Sequence, residues 1–304
     1  MNKEKKEFRS GFVAVIGRPN AGKSTLLNTL LGQKVLIISD KPQTTRNRIQ
    51  CILTEERGQV IFFDTPGIHK PQHRLGEYMV AAAKSTLRGV DFAVYVVDAS
   101  VPLGSGDAYV MEMIRENRIP CILALNKIDL LTKNEVLLRI AEFSKLADFQ
   151  EIIPISAIRS ENTVKLLDLI FDALPAGPLY YPEDEVTDQP EKFIAAEMIR
   201  EKLLQLMREE VPHSLAVIVE QMQEKKSLIK IGAVILVERD SQKGIVIGKN
   251  GNVLKEVGRL AREELEELLG NKVFLELWVK VRKDWRNQQA RLKEFGYNLE
   301  DLRE

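Results

Sequence analysis

Apolar positions along the chain fall into two regimes. Over the first 174 residues, short continuous apolar runs alternate with stretches whose apolar residues recur every three or four positions. The runs Gly11–Ile16, Val60–Phe63, Asp91–Val97, Pro120–Leu125 and Glu151–Pro154 are each bounded by Gly, Pro, Asp or Asn. Nearly every position in them is apolar, which predicts strands buried on both faces rather than wetted on one. In Thr163–Leu174, residues Leu167, Ile170, Phe171 and Leu174 lie at i, i+3, i+4 and i+7, one face of a helix. Strands alternating with helices predict an α/β fold on a doubly wound, mostly parallel sheet.

A second regime begins after Pro190. The segment Pro175–Pro190 holds four prolines and the acids Glu183, Asp184, Glu185 and Asp188, the composition of an extended linker. Beyond it the pattern predicts a helix over Glu191–Glu210 and strands over Ser214–Gln221 and Lys230–Glu238. A short apolar stretch, Ile245–Ile247, then precedes a long amphipathic helix over Asn252–Leu269 and an alternating strand over Lys272–Val281. The order is α-β-β-α-α-β, an α+β module. The expected division is residues 1–174, a linker at 175–190, and a second domain at 191–304.

Composition narrows the class. Of 304 residues, 44% are apolar and 29% charged, which excludes a disordered or collagen-like chain. The balance of 44 Lys+Arg against 44 Asp+Glu conceals an uneven distribution. Residues 225–293 carry sixteen basic and nine acidic side chains, whereas residues 181–224 carry four and eleven. The basic segment is a candidate polyanion surface. Cys51 and Cys121 form no CxxC, and His69, His73 and His213 have no metal spacing, so neither a disulfide framework nor a zinc site is expected. Met1–Ser10 is charged and lacks the apolar core of a signal peptide, and no apolar run approaches the roughly 20 residues of a spanning helix. A soluble, cytoplasmic protein is expected.

The first candidate chemistry is Gly17-Arg18-Pro19-Asn20-Ala21-Gly22-Lys23-Ser24, continued by Thr25, which fits GxxxxGK[ST]. It follows a predicted strand and opens a helix, so backbone amides and a helix N-terminus face a bound phosphate. Lys23 would neutralise the β- and γ-phosphates and Ser24 would ligate Mg²⁺. Asn126-Lys127-Ile128-Asp129 selects the base: a carboxylate at Asp129 accepts from guanine N1–H and N2–H, donors that adenine lacks there. Lys127 would lie over the ring, Asn126 would tie this loop to the phosphate loop, and Ser156-Ala157 would offer an amide to guanine O6. In Asp64-Thr65-Pro66-Gly67, Asp64 is placed to hold Mg²⁺ and the Gly67 amide to meet the γ-phosphate. Within Gln43–Arg46, a threonine can close onto Mg²⁺ only when the γ-phosphate is present, and Thr45 is preferred to Thr44.

Together these motifs resemble the translation-factor-related GTPases over about 160 residues. The resemblance implies a six-stranded sheet with an antiparallel second strand, with Gln33–Ser39 and Ile49–Glu55 bordering the switch. Many small GTPases place a water-orienting glutamine directly after Asp-x-x-Gly; here that position is Ile68. Related GTPases with Asn at the position of Asn20 use it as a K⁺ ligand beside switch-region carbonyls, so K⁺ is a candidate activator of hydrolysis. The alternative role for Asn20 is to tighten the loop.

In the second domain, Ile247-Gly248-Lys249-Asn250-Gly251 precedes the long helix, which also carries Lys255. A GxxG turn lets a nucleic-acid backbone approach closely, with Lys249 meeting phosphate and Ile245, Ile247 and Leu254 walling a groove for bases. This resembles a KH domain of the bacterial, type II order. A basic run, Lys280, Arg282, Lys283, Arg286 and Arg291, follows the last strand with Trp278 and Trp285 nearby, and the tryptophans are open to core or surface roles. A GTPase domain followed by one KH module resembles the Era family over essentially the whole chain. That implies GTP/GDP and Mg²⁺ as ligands and binding of small-subunit ribosomal RNA near its 3′ end. It further implies a role in maturation of the small ribosomal subunit and peripheral membrane association. DNA is not an expected partner, and the chain is expected to act as a monomer. The rival reading is an RNA chaperone whose nucleotide site regulates without useful turnover.

Overall fold

The computed structural model describes residues 7–68, 71–225 and 227–302; His69 and most of the charged N-terminus lie outside them. The first module comprises β1 (Arg9–Ile16), α1 (Lys23–Leu31), β2 (Ile49–Glu55), β3 (Gly58–Asp64), α2 (Arg74–Thr86), β4 (Phe92–Asp98), α3 (Ser105–Asn117), β5 (Cys121–Asn126), α4 (Lys133–Phe143), β6 (Glu151–Pro154) and α5 (Thr163–Ala173). Its sheet has the order β2-β3-β1-β4-β5-β6, with β2 antiparallel to β3 and every other pairing parallel. This is an α/β doubly wound sheet. β3 and most of β4 and β5 are buried along their length because helices cover both faces, which is why they read as unbroken apolar runs. Connections leave β1 toward β3 on one side and β4 on the other, so the crevice at its C-terminal end is the natural ligand position. Gln33–Ser39 forms no strand or helix.

The segment after α5 is extended but not a free tether. Val186 accepts from the Ile52 amide at 2.9 Å, Thr187 donates to the Gln50 carbonyl at 2.7 Å, and the Gln59 side chain clasps the backbone of Tyr180 and Tyr181. The prolines keep it from folding back as a helix, and the β2 edge supplies the partners its backbone needs.

The second module runs α6 (Glu191–Leu206), α7 (Val211–Ser214), β7 (Ala216–Lys225), β8 (Leu228–Val237), α8 (Asp240–Ile247), α9 (Asn252–Leu269), β9 (Lys272–Val281) and α10 (Gln289–Glu294). The helix expected to reach Glu210 ends at Leu206, and Pro212 lies in the short α7. β7 is antiparallel to β8, and β8 is parallel to β9. One sheet face and the apolar sides of α6, α8 and α9 enclose a core containing Ile199, Leu203, Ile231, Ile235, Val257 and Leu265. On the other face Ala216, Val234 and Leu236 pack with Trp285 and Leu292, and with Leu75, Tyr78 and Met79 of α2 in the first module. Trp285 is fully buried and donates its indole N–H to the Ser214 carbonyl at 2.8 Å, whereas Trp278 is 45% exposed.

Candidate nucleotide site and nucleic-acid interface

The phosphate loop lies between β1 and α1 at the crevice. Gly22 has φ +97°, and a Cβ there would sit 2.2 Å from the Asn126 amide nitrogen, so only glycine lets this side chain pass. No side chain caps α1, and its first-turn amides remain available to an anion. A cleft of about 340 Å³ joins this loop to Ser39, Asp40, Thr44, Thr45, Gly67 and Lys127. Lys23 is buried, and its ammonium donates to the carbonyls of Arg18 and Gly17 at 3.0 and 3.3 Å. Burial lowers its pKa to about 8, against the opposing pull of Asp64.

Ser24, Thr45 and Asp64 converge. The Asp64 carboxylate accepts from Ser24 Oγ at 2.7 Å and from Thr45 Oγ1 at 3.0 Å, and the two hydroxyls are 3.1 Å apart. Asp64 is fully buried, its other oxygen has no hydrogen-bond partner, and burial raises its pKa despite Lys23 and both hydroxyls. A buried carboxylate with a free oxygen beside two hydroxyls is a hard-oxygen set suited to Mg²⁺. Thr44 turns away and donates to the Lys41 carbonyl at 2.6 Å, so Thr45 is the threonine aimed at this cluster. Thr65 is structural, donating to the Val15 carbonyl at 2.8 Å; Pro66 follows it, and Gly67 packs on Pro19 so closely that a Cβ would lie 2.6 Å from that backbone. Ile68 is 1% exposed and points into the core with Ala14, Ile16 and Ala83. Asn20, at φ +61°, donates to the Asp40 carbonyl at 2.7 Å.

Asn126 does tie the loops together: it donates to the Ala21 carbonyl at 2.8 Å and accepts from the Ala157 amide at 2.9 Å. The Ala157 amide donates to Asn126 and the Ser156 amide to the Glu161 carbonyl, contacts that brace the base loop. Ser156 contributes its hydroxyl, donated to Asp129 at 2.6 Å. The Arg18 side chain also points away from the cleft, pairing with Asp107 at 2.8 Å; only its backbone stands at the phosphate position. Asp107 and Asp98 escaped the sequence reading. Asp98 accepts from Lys127 at 2.5 Å and from Ser100, which outweigh burial and hold its carboxyl below the usual range. The available signal was an acid closing an otherwise apolar strand.

The GxxG segment is a turn between α8 and α9. Gly248 has φ +73°, and a Cβ there would lie 2.4 Å from Val253; Asn250 and Gly251 are also left-handed. Lys249, Asn250 and Lys255 are exposed, Ile247 and Leu254 half-buried, and Ile245 is 49% exposed. Much of the remaining basic surplus is neutralised, as in Arg259 with Glu256 and Glu263, Arg286 with Glu238, and Lys280 with Glu220.

A profile described as 50S ribosome-binding GTPase matches residues 12–127, and a KH-domain profile matches residues 210–286. GTPase Era of Heliobacterium modesticaldum is 54% identical over 293 residues, 96% of this chain and 98% of that protein. The chain belongs to the Era family. It is a GTPase. A single-substitution variant of Aquifex aeolicus Era bound to GDP·AlF₄⁻ superposes with a TM-score of 0.93 at 42% identity, covering 96% of this chain and all of that one. Era in complex with MgGDPNP and nucleotides 1506–1542 of 16S ribosomal RNA superposes equally, with 0.93, 42%, and 96% and 99% coverage. The similarity spans both modules, so the Era family's two-part architecture is present whole. Among the described residues, no helix is long and apolar enough to cross a membrane.

Proposed function

We propose that the chain is a GTP-driven switch that binds small-subunit ribosomal RNA near its 3′ end through the Gly248–Gly251 turn and assists maturation of the small subunit. Similarity across both modules to the Era complex with 16S nucleotides supports this reading most directly. The 50S description attaches to a profile that covers only part of the nucleotide module, whereas the RNA target is a property of the second. Bound Mg²⁺, held by Ser24, Thr45 and Asp64, would offset charge on the β- and γ-phosphates. Lys23 and the phosphate-loop amides bind the same oxygens, Asp129 reads guanine from the loop that Ser156 and Ala157 brace, and Lys127, held up by Asp98, covers the ring. The protein acts in the cytoplasm as a monomer, and its membrane contact is peripheral.

Phosphate release measured with and without the 16S fragment separates a coupled enzyme from a passive RNA binder. The expected result is a several-fold faster steady rate with RNA. An unchanged rate favours a chaperone with a merely regulatory nucleotide site.

Ile68 cannot orient water, and Asn20 Nδ2 donates to the Asp40 carbonyl at 2.7 Å; turning that amide over would present Oδ1 beside the same switch-region carbonyl. K⁺ held there would supply the charge that an arginine finger provides elsewhere, worth about 10³–10⁵ in rate. Initial rates at constant ionic strength are therefore expected to be at least roughly tenfold higher in K⁺ than in Na⁺, since oxygens spaced for K⁺ hold Na⁺ loosely. Asn20→Ala should abolish the difference. Equal rates in the two salts would leave Asn20 as a loop-tightening residue.

A further inference from the structure

Thr45 is bracketed by two buried arginines that cross between the modules in opposite directions. On its N-terminal side, the Thr44 carbonyl accepts from Arg200 of α6, in the second module. Arg200 is 1% exposed, and Glu197 grips it through two bonds of 2.7 and 2.5 Å. On its C-terminal side, Arg46 inserts into the second module. Its guanidinium donates to the Leu215 carbonyl at 2.7 Å, with the Pro212 and His213 carbonyls at 3.4 Å, and lies 5.9 Å from the Trp285 ring centroid. Arg46 is 2% exposed.

We propose that Arg46 and Arg200 are positioning residues for GTP hydrolysis: a crossed clamp through which the KH module holds the Thr45 loop closed. The inference rests on the reading of Thr45 as the threonine that closes with the γ-phosphate. Neither arginine touches Asp64 or Ser24, so both act through Thr45. Burying a guanidinium is costly unless most of its N–H groups find acceptors, and here Arg46 Nε and one terminal nitrogen of Arg200 have none, so the bonds each does make carry its burial. Arg46 meets carbonyls of the second module, so its burial is tolerated only while the modules are docked. Arg200 carries its own carboxylate partner, and what it spends on the other module is one bond to the Thr44 backbone.

Two further contacts bind the same segments. The Ile38 amide donates to Glu201 at 2.8 Å, and Glu201 belongs to a four-charge network with Lys34, Lys202 and Glu264. Leu75, Tyr78 and Met79 of α2, which follows Gly67, pack on the KH sheet, and the Tyr78 hydroxyl donates to Asn47 at 2.9 Å. Both segments that flank the γ-phosphate position thus rest on the RNA-binding module. By linkage, a ligand that favours the closed loop favours the docked module by the same free energy, and the converse holds.

The test uses the full chain carrying Trp278→Phe, which leaves buried Trp285, beside Arg46, as the sole tryptophan. Arg200→Gln and Arg46→Gln are each compared with this parent for kcat, GDP affinity, Trp285 emission, and affinity for the 16S fragment with GDP or a non-hydrolysable GTP analogue. The clamp predicts a kcat lower by about 10- to 100-fold, the scale of a small misplacement of a reacting group, with GDP affinity unchanged. It also predicts that the Trp285 difference between GDP and analogue disappears, and that RNA affinity with analogue falls to its GDP value. Glu197→Gln, which loosens Arg200 without removing it, should shift every readout the same way by less and serves if Arg200→Gln does not fold. A lower melting temperature with kcat within twofold and the Trp285 difference intact would reduce the arginines to interdomain glue and overturn the clamp. Thr45→Ala separates the two failures. If it leaves kcat unchanged, the reading of Thr45 itself is wrong; if it abolishes turnover while both arginine variants stay active, only the clamp is wrong.

Discussion

Replacing Lys249 and Asn250 together with Asp should abolish binding of the 16S fragment at physiological salt. The turn carries one positive charge where a phosphate backbone must pass, and the double variant carries two negative ones, well inside the Debye length of about 8 Å. Like charges forced together cost several kcal/mol, more than a hundredfold in affinity. The variant should nonetheless fold. Both positions are exposed, and Asn250 is left-handed at φ +54°, a conformation Asp adopts nearly as readily as Asn. Guanine-nucleotide affinity should stay within roughly twofold. The turn opens α9 at Asn252, and the ion pair that ties α9 to the nucleotide module, Glu264 with Lys34, lies about 18 Å along the helix. Filter binding across a salt series measures the first effect and nucleotide titration the second. RNA affinity that survives the double change would remove the turn from the interface.

Asp129→Asn should turn a guanine site into one that prefers xanthine. The side chain is 9% exposed, and one oxygen already accepts from Ser156 at 2.6 Å. An asparagine can keep that bond with its carbonyl, which leaves its NH₂ to face the base. Against guanine the NH₂ meets N–H donors; against xanthine it meets a carbonyl. Losing a charge-assisted bidentate pair and opposing donors should cost about 2–4 kcal/mol, roughly 30- to 700-fold in GTP affinity. Arg159, 3.9 Å away and 66% exposed, contributes little. Competition between GTP and XTP for the variant reads the switch directly, and undiminished GTP affinity would overturn the role of Asp129.

Much of the nucleotide module was legible because its signals are local. A glycine-rich turn between an apolar strand and a helix, an acid ending β3, and Asn-Lys-x-Asp ending β5 each set their geometry within a few residues. The buried strands announced themselves as unbroken apolar runs because covered faces leave no polar alternation. β2 did not. It mixes Gln50, Cys51 and Thr54 with apolar residues, and only the antiparallel partner β3 makes it a strand. The short α8 was visible only as Ile245–Ile247, for its Asp240–Gly244 half carries no apolar period.

What the sequence determined by itself was chemistry that lies close along the chain: a phosphate loop, a guanine reader, a magnesium-type donor set, a GxxG turn, and their order. What only the tertiary structure decided was which side chains are taken. The amide of Ala157 belongs to Asn126, Arg18 faces Asp107, Lys127 leans on Asp98, and Trp285 is buried while Trp278 is not. Arg46 and Arg200 look in sequence like two ordinary charges on solvated segments. They become the seam between modules because partners 169 and 156 residues away remove them from water. Burial depends on what closes over a residue, and no local pattern records that.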